Sequence, residues 1–397
     1  MKDIGLYIHI PFCKKKCNYC DFVSFANSEE KIEEYINCLI CEIKEVAENV
    51  KFQFQQKKGD LVNVRSIYIG GGTPSYIDSK YIKQILNTIR NSYDFVMAGL
   101  IDKQEQFPEI TIEINPGTVT EEKLKDYKYS GVNRISIGMQ ATQNRLLTQL
   151  GRIHSYQEFE TTYLLARKIG FNNINIDFMI GLPNQTIEDI KESLQKIKKL
   201  NPEHVSVYSL IVEENTILSK QIEEGTLELP EENKEREMYW TVKNFLEENG
   251  YNHYEISNFA KPNRESRHNM DCWNQKEYFG FGVAAHSYVD NVRFSNITDL
   301  NSYIENYKHN EPEKNFVFHE KENYLDTMKE YLLLGFRKIK GVSKKDFENK
   351  FQLPIESIFK LELEELKEKG LILENEDTYY LSDKGIDFAN LVFEKFV

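Results

Sequence analysis

Six short segments rich in β-branched and aromatic residues alternate with longer amphipathic segments in the first 210 residues of the chain, and this alternation constrains the fold most. The strand-like segments are residues 5–10, 65–70, 109–114, 133–138, 173–178 and 204–210. Helical patterns lie between them, and one begins with Thr186 and Asp189 at capping-box spacing. Strands separated by helices form βαβ units, so the sequence predicts a parallel sheet. Ligand-binding groups gather at the carboxyl ends of such strands.

Three cysteines follow the first strand, in the segment HIPFCKKKCNYC. Cys13, Cys17 and Cys20 have the spacing CxxxCxxC. Three thiolates can bind three irons of a [4Fe–4S] cluster and leave the fourth iron open to another ligand. The alternative is a structural zinc ion, which requires four ligands and usually takes them from pairs of CxxC. No fourth Cys or His follows at that spacing, so the pattern favours the cluster.

Glycines follow the second strand, in the segment GGGTP that contains Gly71, Gly72 and Thr73. Glycine lets the backbone approach a ligand closely and exposes its N–H and C=O groups. A glycine run is also typical of a tight turn, so its interpretation depends on the neighbouring motifs.

Polar residues also lie near the ends of the next three strands. In EITIEINP the isoleucines share one face of the strand, so Glu113 lies on the other face, towards the interior. A buried carboxylate is costly unless it is paired, and a ligand could supply the partner. The segments SIGMQ, LGRIH and NINIDFMIGLP then supply Gln140, Arg152 and Asp177. Each could be a solvated loop residue by itself, but their common position at strand ends groups them into one site.

The motifs YIHIPFCKKKCNYCDF, GGGTPS, EINP, RISIGMQ, LGRIH and DFMIGLP together resemble the radical S-adenosylmethionine (SAM) superfamily. Within it they are similar to the oxygen-independent coproporphyrinogen dehydrogenases and their heme-chaperone relatives, over roughly residues 6–288. The resemblance implies a partial, TIM-like (β/α)6 barrel. It also implies that Cys13, Cys17 and Cys20 bind the [4Fe–4S] cluster. The implied SAM-binding residues are Tyr7, Tyr19, Gly71, Gly72, Thr73, Glu113, Gln140, Arg152 and Asp177.

Three features indicate the heme-chaperone branch rather than the dehydrogenase branch. The dehydrogenase pattern continues CxxxCxxCxC, but here the residue two after the third cysteine is Phe22. Only twelve residues precede the first cysteine, whereas the dehydrogenase carries a long N-terminal arm. The segment HNMDCW resembles the chaperone motif HNxxYW, which implies that His268 and Trp273 contact heme. Cys272 replaces the tyrosine of that motif.

The resemblance therefore implies that the chain binds heme as cargo and delivers it to acceptor hemoproteins, whether soluble or membrane-associated. Its scaffold is expected to bind SAM without coproporphyrinogen dehydrogenase activity. Oxidative decarboxylation of coproporphyrinogen III is the alternative function, which Phe22 and the short N-terminus disfavour. Radical modification of tRNA is a remoter alternative.

Composition and patterning give the remaining expectations. We expect a barrel domain at residues 1–250, an irregular extension at 251–323 and a helical, winged-helix-like domain at 324–397. The net charge of −13 disfavours a nucleic-acid partner, because phosphate binding requires a basic surface. The sequence has neither a membrane-length apolar run nor a signal-peptide pattern, so we expect a cytoplasmic protein that is not integral to a membrane.

Overall fold

The central strands alternate isoleucine with polar residues, and this period of two gives their sheet one apolar and one polar face. The structure is a computed structural model that describes residues 2–56, 62–93, 108–318 and 323–397. Its strands are β1 (Lys2–Ile10), β2 (Phe12–Cys13), β3 (Phe25–Ala26), β4 (Val62–Gly71), β5 (Glu109–Ile114), β6 (Arg134–Gln140), β7 (Ile174–Ile180), β8 (His204–Ser209), β9 (Asn252–Glu255), β10 (Asn258–Ala260), β11 (Tyr278–Phe281), β12 (His286–Val289), β13 (Val292–Asn296), β14 (Phe316–Phe318), β15 (Val342–Ser343), β16 (Ile372–Glu374) and β17 (Thr378–Leu381).

Helices connect most of these strands and cover the apolar face of the sheet. They are α1 (Ile32–Gln56), α2 (Ser79–Ser92), α3 (Glu121–Tyr129), α4 (Asn144–Gln149), α5 (Tyr156–Ile169), α6 (Ile187–Leu200), α7 (Ile217–Glu223), α8 (Glu232–Glu248), α9 (Arg267–Trp273), α10 (Leu300–Lys308), α11 (Tyr324–Gly335), α12 (Lys344–Phe351), α13 (Glu356–Glu368), α14 (Asp383–Asp387) and α15 (Ala389–Phe393). In the part of the chain that the structure describes, no helix combines the length and apolarity needed to cross a bilayer.

The six strands expected from the sequence form the centre of one sheet. Among the described residues its order is β14-β13-β12-β11-β1-β4-β5-β6-β7-β8-β10-β9. The strands from β1 to β8 in that order pair in parallel. Side chains such as Ile8, Ile69 and Ile112 are fully buried in the apolar core, which they share with the helices. The arrangement is the predicted partial (β/α)6 barrel, but its interior is polar, whereas branched apolar residues fill the usual TIM barrel.

The segment 251–323, expected to be irregular, instead extends the sheet at both edges. Strands β10 and β9 continue antiparallel beyond β8. At the other edge β11 pairs in parallel with β1, and β12, β13 and β14 follow antiparallel. These strands have only three to five residues each, so their sequences are too short to show a clear period of two.

Helix α9 lies in the chain between β10 and β11, which sit near opposite edges of the sheet, so it crosses the barrel. The backbone N–H groups of Arg267 and His268 donate to the Glu109 carboxylate, at the first residue of β5, over 3.2 and 3.3 Å. An ion pair of 2.9 Å joins Asp271 to Arg65 near the start of β4. Helix α9 therefore closes the end of the barrel where the strands begin.

The C-terminal domain consists of α11 to α15 and a small sheet in the order β15-β17-β16. Its first helix begins at Tyr324, where the Asn323 side chain caps it by accepting from the N–H groups of Leu325 and Asp326. Backbone hydrogen bonds between Ile256 and Arg337 and between Ile339 and Tyr254, each of 3.1 Å, attach the domain to the strands of the extension.

A buried carboxylate fastens the extension to the barrel. Glu42 of α1 accepts hydrogen bonds from the Gly282 N–H at 2.8 Å, from Asn296 Nδ2 at 2.6 Å and from the Tyr303 hydroxyl at 2.5 Å. Burial raises the pKa of Glu42 to about 7. All three donors belong to the extension, so this one side chain satisfies polar groups that the extension buries against α1.

We predict that Glu42→Ala lowers the stability of the protein by at least about 3 kcal/mol, because each buried donor left without an acceptor costs about 1–3 kcal/mol. Urea unfolding followed by circular dichroism measures the effect. Glu45→Ala, at an exposed position of the same helix, is the control and should change stability by less than about 0.5 kcal/mol. Equal stability of the two variants would contradict this role of Glu42.

Candidate functional site

The cysteine loop lies between β1 and α1 and is closed at its base. Strand β2 pairs with β3, which joins the two ends of the loop. The His9 Nε2–H of β1 donates to the Val23 carbonyl over 2.9 Å. This bond fixes the segment that leads from the loop into β3. Cys13 is buried in β2, while Cys17 and Cys20 are half-buried within the loop. The three thiols are thus presented by a backbone that is held at both ends.

These thiols line a cavity of about 380 Å³ at the carboxyl ends of the central strands. Most of the residues predicted to bind the cluster or SAM line this same cavity. They are Cys13, Cys17, Cys20, Tyr19, Gly71, Gly72, Thr73, Glu113, Gln140, Arg152 and Asp177. The structure therefore brings together residues that lie up to 164 positions apart in the chain, as expected for groups at the ends of parallel strands.

The glycine segment packs directly against the cysteine loop. A Cβ atom on Gly72 would lie 2.9 Å from the Cys13 Sγ atom and 3.0 Å from the Phe12 carbonyl oxygen. Gly71 has a φ of +112°, and a Cβ there would lie 2.7 Å from the His9 ring. A side chain at Gly72 would collide with the cysteine loop and one at Gly71 with the His9 ring of β1, so the glycines are required for the close approach.

The environment of the thiols fits an iron–sulfur cluster. Burial raises the pKa of Cys13, and burial together with the Cys17 charge raises the pKa of Cys20 to about 11. Arg152 Nη1 donates a hydrogen bond of 3.4 Å to the Cys17 Sγ atom. The three thiols line one cavity, and the irons of a cluster would supply the positive charge that thiolates need.

Two partly buried carboxylates face the same cavity from β5 and β7, the strands on either side of β6. Glu113 accepts a hydrogen bond of 2.8 Å from the Tyr68 hydroxyl, and burial, with a contribution from Asp177, raises its pKa to about 7. Asp177 accepts from Asn175 Nδ2 at 2.8 Å and from the Ser136 hydroxyl at 3.3 Å. Burial also raises the pKa of Asp177. Both acids can accept hydrogen bonds from a polar ligand, and a cationic ligand would favour their ionised forms.

Arg152 links the cysteine loop to the strand ends. Its Nη2 group donates to Asn115 Oδ1 over 2.9 Å and to the Gly138 carbonyl over 3.1 Å. Its buried Nε–H has no hydrogen-bond partner among the described residues, which is the expected state of a donor that awaits a ligand or water. Gln140 lines the cavity nearby with a φ of +64°, and Tyr19 lines it from the cysteine loop, where burial raises its pKa.

Tyr7 is the predicted SAM residue that does not line this cavity. It pairs in register with Tyr68 of β4, its hydroxyl donates to His9 Nδ1 over 3.0 Å, and its ring lies 6.3 Å from the Tyr68 ring. The structure instead adds Tyr68, Asn115 and Ser136 to the cavity wall. Asn115 follows Glu113 at a spacing of two, so the same alternation could have identified it.

The predicted heme residues lie at the opposite end of the barrel, on α9. His268 is buried, its Nδ1 atom is 2.9 Å from the Ser66 hydroxyl, and its ring stacks on the Tyr68 ring at 5.2 Å. Burial lowers the pKa of His268 to about 4. The Arg337 guanidinium of the C-terminal domain covers the Trp273 ring at 4.4 Å. The structure therefore does not bring these residues to the cysteine cavity.

Comparison with known proteins identifies the family. Residues 7–197 match the radical SAM superfamily, and residues 325–388 match the HemN C-terminal domain. The heme chaperone HemW of Bacillus subtilis is 37% identical to this chain, and the match covers 98% of each protein. The heme chaperone HemW of Lactococcus lactis is 35% identical over 100% of this chain and 98% of the relative. The chain belongs to the HemW family of radical SAM proteins. Membership of that superfamily implies a [4Fe–4S] cluster and SAM.

The HemW-family chain also shares its fold with a solved structure. Coproporphyrinogen III oxidase (HemN) from Escherichia coli, a radical SAM enzyme, matches with a TM-score of 0.83 over 100% of this chain and 90% of that one. The sequence identity is 22%, so this likeness concerns the fold alone. It confirms the predicted fold class, a partial radical SAM barrel followed by a C-terminal helical domain.

Proposed function

We propose that Cys13, Cys17 and Cys20 bind a [4Fe–4S] cluster in the cavity at the carboxyl ends of the strands. The thiolate donor set, the close glycine segment and the nearby Arg152 guanidinium support this proposal. When bound and reduced by an external electron donor, such a cluster would supply the electron for reductive cleavage of SAM. The protein itself fixes the three thiols and places the positive charge of Arg152 beside Cys17. Gly72, which has no side chain, leaves room next to the Cys13 sulfur.

We propose further that SAM occupies the rest of this cavity. Glu113 and Asp177 would accept hydrogen bonds from its polar groups, and the backbone at Gly71 and Gly72 would approach its amino group. Thr73, Gln140, Arg152 and Tyr19 would complete the walls. Tyr7 would act indirectly, because its hydroxyl orients His9 below the cysteine loop.

Our proposal for the function of the chain is heme binding and delivery to acceptor hemoproteins in the cytoplasm. The observation that carries it is the full-length similarity, at 35–37% identity, to proteins named heme chaperone HemW. Phe22 supports it, because this exposed side chain stands at the mouth of the cavity where the dehydrogenases have a fourth cysteine.

We propose His268 as the iron ligand, with Trp273 beside the macrocycle. Ser66 bonds the Nδ1 atom of His268, so Nε2 is the nitrogen that would bind iron. Because His268 is only 8% exposed, heme can reach it only after α9 moves away from the barrel. The C-terminal domain would take part in this movement, since Arg337 covers Trp273.

For the SAM site we predict that Glu113→Ala and Asp177→Ala each weaken SAM binding about 10- to 100-fold, because a hydrogen bond to a charged group contributes about 1.5–3 kcal/mol. Calorimetric titration of the reconstituted protein, without reductant, measures the affinity. Glu122→Ala removes an exposed carboxylate of α3 and should bind SAM like the wild type. Wild-type affinity in both acid variants would remove Glu113 and Asp177 from the site.

The same SAM titration, repeated at several pH values, tests the charge of Glu113. With a pKa of about 7, Glu113 is protonated below neutrality and ionised above it. The ratio of the wild-type SAM affinity to that of Glu113→Gln should therefore increase from pH 6 to pH 8. Titration of SAM itself affects both proteins equally and cancels in this ratio. A constant ratio of affinities would contradict ionisation of Glu113 in the binding step.

For heme we predict saturable binding by the wild type, followed by the Soret band, and a changed spectrum with at least about tenfold weaker binding in His268→Ala, because an axial ligand is lost. His253→Ala is the matched control, since His253 is equally buried in the extension but contacts Tyr239 and Phe259 instead of barrel residues below α9. Thermal unfolding of each variant separates loss of the ligand from loss of the fold.

An unchanged spectrum and affinity in His268→Ala would show that another group binds the iron. The heme proposal itself would fail if the wild type bound no more heme than an unrelated protein. Coproporphyrinogen III, supplied with SAM and reductant, should remain unconverted, and repeated turnover would restore the dehydrogenase alternative.

A further inference from the structure

Hydrogen bonds and ring contacts cross the polar interior of the barrel from the cavity to α9. The first series, here called the Tyr68 path, begins at Glu113, which accepts from the Tyr68 hydroxyl over 2.8 Å. The Tyr68 ring stacks on the His268 ring, with centroids 5.2 Å apart and planes inclined by 29°. His268 in turn contacts Ser66 over 2.9 Å. One tyrosine thus touches both a proposed SAM carboxylate and the proposed heme ligand.

A second series, here called the His204 path, begins at the other acid and ends at the first turn of α9. Asn175 Nδ2 donates to Asp177 over 2.8 Å, and His204 Nδ1 donates to Asn175 Oδ1 over 2.6 Å. The Tyr254 hydroxyl donates to His204 Nε2 over 2.7 Å and accepts from the Ser266 N–H over 3.3 Å. Ser266 is the N-cap of α9.

Every hydrogen bond of the His204 path points its donor towards Asp177, and the Tyr68 hydroxyl points towards Glu113. Series of aligned hydrogen bonds polarise one another in a low-dielectric interior, so a change at the carboxylate is felt along the series. Arg134 adds a link through space, because its buried charge acts on the pKa of Glu113, of Asp177 and of His268. An apolar barrel interior would provide none of these connections.

We infer that Tyr68 is a positioning residue shared by the two sites, through which SAM binding at the cavity promotes heme binding at α9. This inference rests on the proposed heme-binding function. In the present arrangement the bond to Glu113 holds the Tyr68 ring over His268, and α9 is closed. SAM competes with the Tyr68 hydroxyl for the Glu113 carboxylate. Loss of that hydrogen bond frees the Tyr68 ring and weakens its contact with His268, which helps to hold α9 closed. Thermodynamic linkage then requires heme to raise the affinity for SAM by the same factor.

The test is a heme titration of the cluster-containing protein, followed by the difference Soret band, with and without saturating SAM and without reductant. Wild type should bind heme about fivefold more tightly, or better, when SAM is present. Tyr68→Phe keeps the ring but lacks the hydroxyl. It should bind heme without SAM as tightly as the wild type does with SAM, and SAM should add little.

Tyr163→Phe is the matched control, because it also removes a buried tyrosine hydroxyl, which donates to the Leu200 carbonyl outside the barrel. It should keep the full effect of SAM on heme affinity. Tyr254→Phe interrupts the His204 path and should reduce the effect in part. Each variant is first titrated with SAM alone, so that a lost SAM site is not mistaken for lost coupling.

Two results would overturn the inference and leave the proposed function intact. Wild type could bind both SAM and heme with affinities that do not depend on each other, or Tyr68→Phe could retain the wild-type dependence. If wild type bound SAM but no heme, the proposed function would fall, and the coupling with it. Reciprocal changes in the SAM affinity, measured calorimetrically with and without heme, would support the inference independently.

Discussion

The backbone ladder between β1 and β4 continues past the ends of both strands, and the site depends on this continuation. The last pair in register is Ile10 with Gly71. Beyond it the Gly72 N–H donates to the Ile10 carbonyl, and the Thr73 N–H donates to the Phe12 carbonyl, each over 2.9 Å. These bonds press the glycine segment against the cysteine loop. They fix Cys13 beside the polar residues at the carboxyl ends of the neighbouring strands. The register between β1 and β4 therefore determines which side chains lie next to the cysteines.

A second constraint is that the interior of the barrel is polar. Buried polar groups are costly unless they are hydrogen-bonded, so each such group must be matched by another. Here the matching extends from the carboxylates at one end to α9 at the other, through residues such as Tyr68 and His204. A barrel filled by branched apolar side chains would be simpler to stabilise. The polar interior costs stability but connects two ends that are otherwise separated by the length of the strands.

The sequence predicts this site well where local periodicity and chain order determine it. Glu113 is identified because a period of two places it opposite the buried isoleucines, and Asp177 because it lies near the end of a strand and parallel strands end at one edge. Tyr7 is assigned only by the family resemblance, and in the structure it pairs with Tyr68 without lining the cavity. The position of His268 depends on how α9 crosses between β10 and β11. That crossing follows from long-range strand pairing, which cannot be predicted from a local sequence pattern. The short strands of the extension were missed for a similar reason, because their pairing partners determine them more than their own residues.

In the proposed site, Cys13, Cys17 and Cys20 hold a cluster with one open iron beside SAM. The most direct measurement is electron paramagnetic resonance of the anaerobically reconstituted, reduced protein, recorded before and after SAM is added. We expect a [4Fe–4S] signal that changes when SAM binds. This signal should be absent from Cys13→Ala, Cys17→Ala and Cys20→Ala but kept in Cys41→Ala, whose thiol is exposed on α1. A signal that survives loss of the three cysteines, or one that does not respond to SAM in the wild type, would contradict this proposal.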